Sequence, residues 1–256
     1  MLPPNQVEVS SLAVLSHEGT YPIMYGSWPI PVGAGHRSGY IARPDEAGKV
    51  PVVFIVPDLD GLGSFEKDLC RRFAREGFAA ISIDLYGEKG DPLDLYSSLT
   101  DDRALYILDE LHQFLVSDDV TWNAEDRVGI LGADVGGRFG IIKAATRDWV
   151  RSLAVSYTPL TGDEERDHQV ASYLDHLPVP VLGLYGAEDD LIDTSTVDEA
   201  QARNEHGQWL LYEGVGHGFL DIDGDGFDQS AADDAFARLL AFFRGSLEPA
   251  QIEDLG

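Results

Sequence analysis

Val128-Gly129-Ile130-Leu131-Gly132-Ala133-Asp134-Val135-Gly136-Gly137-Arg138-Phe139-Gly140-Ile141-Ile142 is the stretch on which the fold turns. Val128 to Gly132 is an apolar run of the length expected for a strand buried on both faces. Gly132-Ala133-Asp134-Val135-Gly136 then sets small residues on either side of one acid, and helical spacing takes over near Arg138 and runs to Thr146. Strand, sharp turn and helix in that order are the G-x-Nuc-x-G elbow, with aspartate at its centre. Small neighbours are needed because the central residue is strained and the helix packs close to the strand. Alone, the motif also fits a glycine-rich βα turn with no chemistry.

Outward from the elbow, apolar runs alternate with amphipathic stretches, the pattern of a mostly parallel sheet covered by helices on both faces. Strands are expected near Gly39–Ala42, Val52–Val56, Ala79–Asp84, Val128–Gly132, Leu153–Tyr157, Val179–Tyr185 and Trp209–Tyr212. Helices are expected at Phe65–Glu76, Asp101–Leu115, Gly136–Thr146, Val197–Asn204 and Asp228–Arg244, from apolar spacings of three and four. Val7 to Tyr40 mixes short apolar runs with Pro and Gly and reads as irregular antiparallel strands or a lead-in. The expected organisation is a lead-in at 1–36, a single α/β domain at 37–247 and an acidic tail at 248–256.

The chain has 256 residues, 44% hydrophobic and 25% charged, which suits a soluble globular protein of one domain. It shows neither a long unbroken apolar segment nor a basic-then-apolar start, so the expected location is cytoplasmic, with no membrane partner. One cysteine, Cys70, can close no internal disulfide and reads as a core residue. The formal charge of −27 repels phosphate backbones, which argues against nucleic acid. That acidity, with few lysines, fits a salt-tolerant host or high solubility alone.

Beyond the elbow, an acid-rich strand end, Gly186-Ala187-Glu188-Asp189-Asp190, precedes a histidine on a glycine-flanked loop, Glu213-Gly214-Val215-Gly216-His217-Gly218-Phe219. Elbow, acid, histidine is the chain order of an α/β-hydrolase triad, and all three fall at carboxyl ends of strands, where open sheets place ligands. Together with Gly39–Pro44, Val52–Asp58, Ile83–Gly87 and the closing helix around Arg238–Phe243, these pieces resemble the dienelactone hydrolase family from about Gly39 to Leu247. The resemblance implies an α/β-hydrolase without a cap domain. It implies triad positions at Asp134, Asp189 and His217, and an oxyanion hole from the N–H groups of Leu59 and Val135. Two departures stand out. The family's nucleophile is cysteine or serine, and here it is Asp134. Where the family commonly has glutamate after the third strand this chain has Asp58, followed by Asp60 in place of an apolar residue.

A carboxylate attacking an ester carbonyl is expelled from the adduct far more readily than an alkoxide, since its pKa is near ~4. Attack at a saturated carbon, by displacing halide or opening an epoxide, instead leaves an alkyl ester of Asp134. His217, oriented by Asp189, then activates water to cleave that ester. Haloalkane dehalogenases and epoxide hydrolases resemble this arrangement in using Asp at the elbow, but carry a cap that the short stretch between Tyr157 and Val179 cannot hold. Asp58, Asp60, Tyr86 and Tyr157 are expected to line the substrate pocket, the tyrosines as acid donors or as packing. Asp134 as a general base, and a chain that binds a ligand without turnover, are the alternatives. The expected partner is a small-molecule substrate, the assembly a monomer or homodimer. No cofactor or metal is expected: Asp221-Ile222-Asp223-Gly224-Asp225-Gly226 resembles half a calcium loop but has Ala232 where the bidentate glutamate belongs.

Overall fold

The computed structural model describes residues 19–45, 48–87, 89–160 and 170–247, with backbone alone at 125–127. The expected acidic tail and residues 1–18 of the expected lead-in lie outside the described residues. Eight strands form one sheet: β1 (Ile23–Val32), β2 (Gly35–Pro44), β3 (Val50–Val56), β4 (Ala79–Ile83), β5 (Asn123–Ala133), β6 (Val150–Ser156), β7 (Val181–Gly186) and β8 (Gln208–Tyr212). Their order is β1-β2-β4-β3-β5-β6-β7-β8. The β1–β2 and β2–β4 pairs are antiparallel, and every pair from β4–β3 to β7–β8 is parallel.

The helices are α1 (Ser64–Arg75), α2 (Pro92–Ser98), α3 (Asp101–Leu115), α4 (Val135–Thr146), α5 (Val170–Leu174), α6 (Thr194–Arg203) and α7 (Gln229–Leu247). Successive residues of a strand point to opposite faces, and β5 shows which helices lie on which. A Cβ on Gly129 would stand 2.6 Å from Phe243 of α7, while the next residue, Ile130, touches the space over Gly140 of α4. So α4 and α7 cover opposite faces. Phe73 stacks edge-on against Phe236 and Phe243, which puts α1 beside α7. Asp101 and Asp109 pair with Arg138 and Lys143, which puts α3 beside α4. The core is the sheet itself: β4 is buried throughout, and so are Val52 to Val56 of β3. Cys70 is buried in the packed face of α1 with Leu69 and Phe73. Among the described residues, no helix is long and apolar enough to cross a membrane.

The largest difference from the sequence reading is β1. Instead of irregular strands, Ile23–Val32 is a ten-residue strand paired in unbroken register with β2 across a two-residue turn at Gly33-Ala34, with Gly33 at φ 59°. Gly26, Pro29 and Pro31 hide it in the sequence; an edge strand tolerates them because only one side of it must complete a ladder. The short helices α2 and α5 were not expected, and β7 starts two residues later than the apolar run, because Val179 precedes Pro180 and stays outside the ladder. Among the described residues, α5 is the only element between β6 and β7.

Candidate active site

At the elbow, β5 hands directly over to α4. Asp134 sits between them at φ 45° and ψ −128°, a conformation that L residues avoid. Its N–H bonds to the Ser156 carbonyl at 3.0 Å and its carbonyl receives the Gly137 N–H at 3.1 Å, so neighbouring chain on both sides holds the strain. A Cβ on Gly132 would come within 2.5 Å of the Gly137 backbone, and one on Gly136 within 2.5 Å of the Val56 carbonyl. The elbow thus lies hard against the end of β3, whose next loop, Asp58–Gly63, carries Leu59.

That contact fixes what surrounds the carboxylate. The backbone N–H groups of Val135 and Leu59 lie near the Asp134 side chain and favour its charged form. Burial raises its proton affinity above the ordinary carboxylate value, against the pull of His217 and those two N–H groups, and the charge of Asp60 adds to the rise. On the open side, Oδ1 of Asp134 lies 3.9 Å from Nε2 of His217, outside direct hydrogen-bond reach and within the reach of one bridging water.

Behind the imidazole, Asp189 follows β7. Its Oδ2 lies 2.9 Å from Nδ1 of His217, and its Oδ1 accepts the N–H groups of Leu191 at 2.8 Å and Ile192 at 3.0 Å. The side chain is fully buried, so every acceptor site on it is turned to the protein. An ionised carboxylate only accepts, so in the neutral ring Nδ1 carries the proton and Nε2 turns its lone pair toward Asp134. The two loops meet because the Glu188 N–H bonds to the Val215 carbonyl at 2.9 Å. Asp134, Asp189 and His217 are therefore brought together from three strand ends.

The four expected lining residues take different places. Asp58 is half-buried, its Oδ1 accepting the Asp60 N–H at 2.9 Å. Burial first, then the charges of Asp60, Asp134 and Asp221, lift its carboxyl to about 7. Asp60 is exposed at the tip of the same loop. Tyr86 packs its ring against Gly61 of that loop. Tyr157 has φ 37°, the second strained non-glycine residue beside the site, and its ring lies 5.0 Å from that of His217. Its hydroxyl is buried without a hydrogen-bond partner among the described residues, and burial together with Asp58, Asp221, Glu66 and Asp134 pushes its ionisation well up.

Two contributors were missed. Glu66, at the third position of α1, is buried behind the Asp58–Gly63 loop, and burial plus the charge of Asp58 lift it to about 8. Its signal was available: an acid three residues after a turn is half of a capping box, although nothing in the pattern says that it points inward. Asp223 ties the histidine loop to α1 by accepting the Ser64 hydroxyl at 2.6 Å. Among the described residues no group of His, Cys, Asp and Glu is arranged to hold a metal ion.

Comparison with known proteins gives consistent matches. The profile of the dienelactone hydrolase family matches residues 38–247. A protein of Escherichia coli K12, provisionally named carboxymethylenebutenolidase, is 30% identical over 241 residues, 87% of each chain. A Bradyrhizobium protein, provisionally named 2-oxo-3-(5-oxofuran-2-ylidene)propanoate lactonase, is 29% identical over 82% of this chain and 90% of its own. A crystal structure from Klebsiella pneumoniae, provisionally described as a dienelactone hydrolase, superposes with a TM-score of 0.79 at 28% identity, covering 86% of this chain and 98% of its own.

Proposed function

This chain belongs to the dienelactone hydrolase family, and from that premise we propose that it hydrolyses a small organic substrate through an alkyl ester of Asp134. Its relatives carry the names of lactone-opening enzymes; the aspartate diverts the reaction to saturated carbon, where a carboxylate is a competent nucleophile and is not expelled again. One Asp134 oxygen attacks the carbon as the bond to halide or epoxide oxygen breaks. A water then gives its proton to Nε2 of His217 and attacks the Asp134 carboxyl carbon. The oxyanion is held by the N–H groups of Leu59 and Val135, and collapse expels the product alkoxide, which takes the proton back from His217; the Asp134 carboxyl left behind releases the second water proton, to solvent after a halide or to the phenolate of the acid donor after an epoxide. Asp189 keeps the ring oriented. For an epoxide the departing oxygen also needs a proton. Of the two neighbouring tyrosines we assign this to Tyr157, which lies against His217 with a hydroxyl committed to no other described group.

The observation that carries this reading is the two-sided setting of the Asp134 carboxylate: two backbone N–H groups that favour its charge on one side, and the Asp189-backed imidazole 3.9 Å away on the other. Turnover of an epoxide and halide panel, with styrene oxide and 1-bromobutane as first probes, in heavy-oxygen water is the test. Label entering the Asp134 side chain over several turnovers is expected. His217→Gln is expected to accumulate a chain heavier by the alkyl group, visible as intact mass. General-base action of Asp134 is the second reading, favoured by its raised proton affinity; turnover that leaves Asp134 unlabelled and unalkylated would select it. A chain that binds panel compounds and turns none over would return the fold to ligand binding alone.

A further inference from the structure

Helix α1 begins Ser64-Phe65-Glu66, with Gly63 as its cap residue. A glutamate at this third position ordinarily reaches back to the cap N–H from the solvent side. Glu66 makes that bond, Oε2 accepting the Gly63 N–H at 2.8 Å, but it does so from inside the protein, 1% exposed. Its other oxygen faces the opposite end of the same loop, 3.5 Å from the Asp58 N–H. Between those ends the chain is turned by its own contacts: the Asp60 N–H to Asp58 Oδ1 at 2.9 Å and the Gly61 N–H to the Asp58 carbonyl at 3.2 Å. The residue in the middle, Leu59, has its N–H near the Asp134 carboxylate, where it favours the ionised form. One buried carboxyl group therefore bridges both ends of the loop that carries the donor. The groups acting most strongly on Glu66 are Asp58 and backbone N–H groups, none of them a cation, so the carboxyl is not buried there as half of an ion pair.

We infer that Glu66 is a positioning residue, whose carboxyl group clamps the Asp58–Gly63 loop so that the Leu59 N–H stays aimed at Asp134. The inference rests on the reading of Leu59 as an oxyanion donor, and it adds a dependence on protons. Near neutral pH the Asp58 and Glu66 carboxyls, lifted to about 7 and about 8, still hold a proton between them. Asp58 is faced by Asp60 on its own loop, Asp134 on the elbow and Asp221 on the histidine loop. Glu66 acts on Cys70 one turn along α1, and Tyr157 feels both carboxyls from the end of β6. Above about 8 the Asp58 and Glu66 carboxyls are both charged, and their repulsion loosens the clamp.

The Leu59 amide reports this without any substrate. In the full-length wild-type chain its proton resonance is expected to move with pH in one step more than in Asp134→Asn, the missing step being the ionisation of Asp134; the movement that follows Asp58 and Glu66 is common to both. Identical pH-dependent movement in the wild type and Asp134→Asn would remove Leu59 from the oxyanion hole and leave Glu66 to be judged on exchange alone. In Glu66→Ala the Leu59 and Asp60 amides are expected to lose protection against hydrogen exchange by at least about tenfold at pH 6.5, relative to a helix amide of α4 in the same sample. Glu66→Gln keeps one acceptor oxygen and cannot ionise. It is expected to lose less protection than Glu66→Ala at pH 6.5, and to show no further loss above pH 8, where the wild type loses it. Unchanged Leu59 protection in Glu66→Ala would overturn the inference. Should that variant not fold, equal loss of protection above pH 8 in wild type and Glu66→Gln would overturn it as well.

Discussion

In the proposed reaction only the ionised form of Asp134 attacks carbon, and burial raises its proton affinity, so the protonated form persists to a higher pH than for an exposed aspartate. With a neutral substrate, kcat/KM is expected to fall as pH drops through a point above the ordinary carboxylate range of ~4. An acid limb at or below that range would show that the carboxylate is solvated. Glu66 yields a stability prediction with the opposite slope. Its folded pKa of about 8 lies above its unfolded value, so the folded chain holds a proton the unfolded chain releases, and stability falls as pH rises from the ordinary range to about 8. Glu66→Gln abolishes that slope. Melting midpoints of the two chains from pH 5 to 9 should shift in favour of Glu66→Gln as pH rises, and a constant gap would contradict the raised value. Asp134, Asp189 and His217 were legible because the elbow, the acid and the histidine stand in fixed order at strand ends. Glu66 was not, because which way a helix residue faces depends on the loop packed over it. The strain at Tyr157 was hidden for a similar reason: a tyrosine carries no sequence mark of a left-handed backbone.

Between elements, the Asp101–Arg138 pair links the start of α3 to the first turns of α4, directly after the elbow. The closest N–O separation is 2.6 Å, and the side chains are 1% and 6% exposed. Removing one member deprives the other, buried one of its closest counter-charge, at a cost of about 3–5 kcal/mol. Arg138→Met is therefore expected to lower the denaturation midpoint well below that of Arg138→Met combined with Asp101→Leu; equal destabilisation would mean that the pair is not coupled. Gly132→Ala tests the elbow itself, because its methyl group would land 2.5 Å from the Gly137 backbone, where no side chain can yield. A loss of about 1–3 kcal/mol with loss of turnover is expected, from overpacking. The buried parallel strands and the amphipathic helices were readable from periodicity alone. α2 and α5, of seven and five residues, are too short to show a period, and β1 was masked by the prolines that its place at the sheet edge permits.

At the scale of the whole molecule, a net charge of −27 makes the folded chain repel itself. Salt shortens the Debye length from about 10 Å at 0.1 M to about 3 Å at 1 M, so the melting midpoint is expected to climb with potassium chloride over that range. A flat response would show that the acids are already neutralised in pairs. Charge was legible at once from composition; how the sheet ends was not. The outermost strand, β1, places Pro29 and Pro31 opposite Ser38 and His36 of β2. Two residues apart, they share one side of the strand, and with no N–H to offer they can only look outward. At the other margin β8 is paired, among the described residues, on one side only. A newcomer strand would find donors missing along β1 and a complete edge along β8. Two copies joined at β8 would therefore present a proline-blunted rim at both far ends, and addition by that route would stop at a closed pair rather than run on into a fibre.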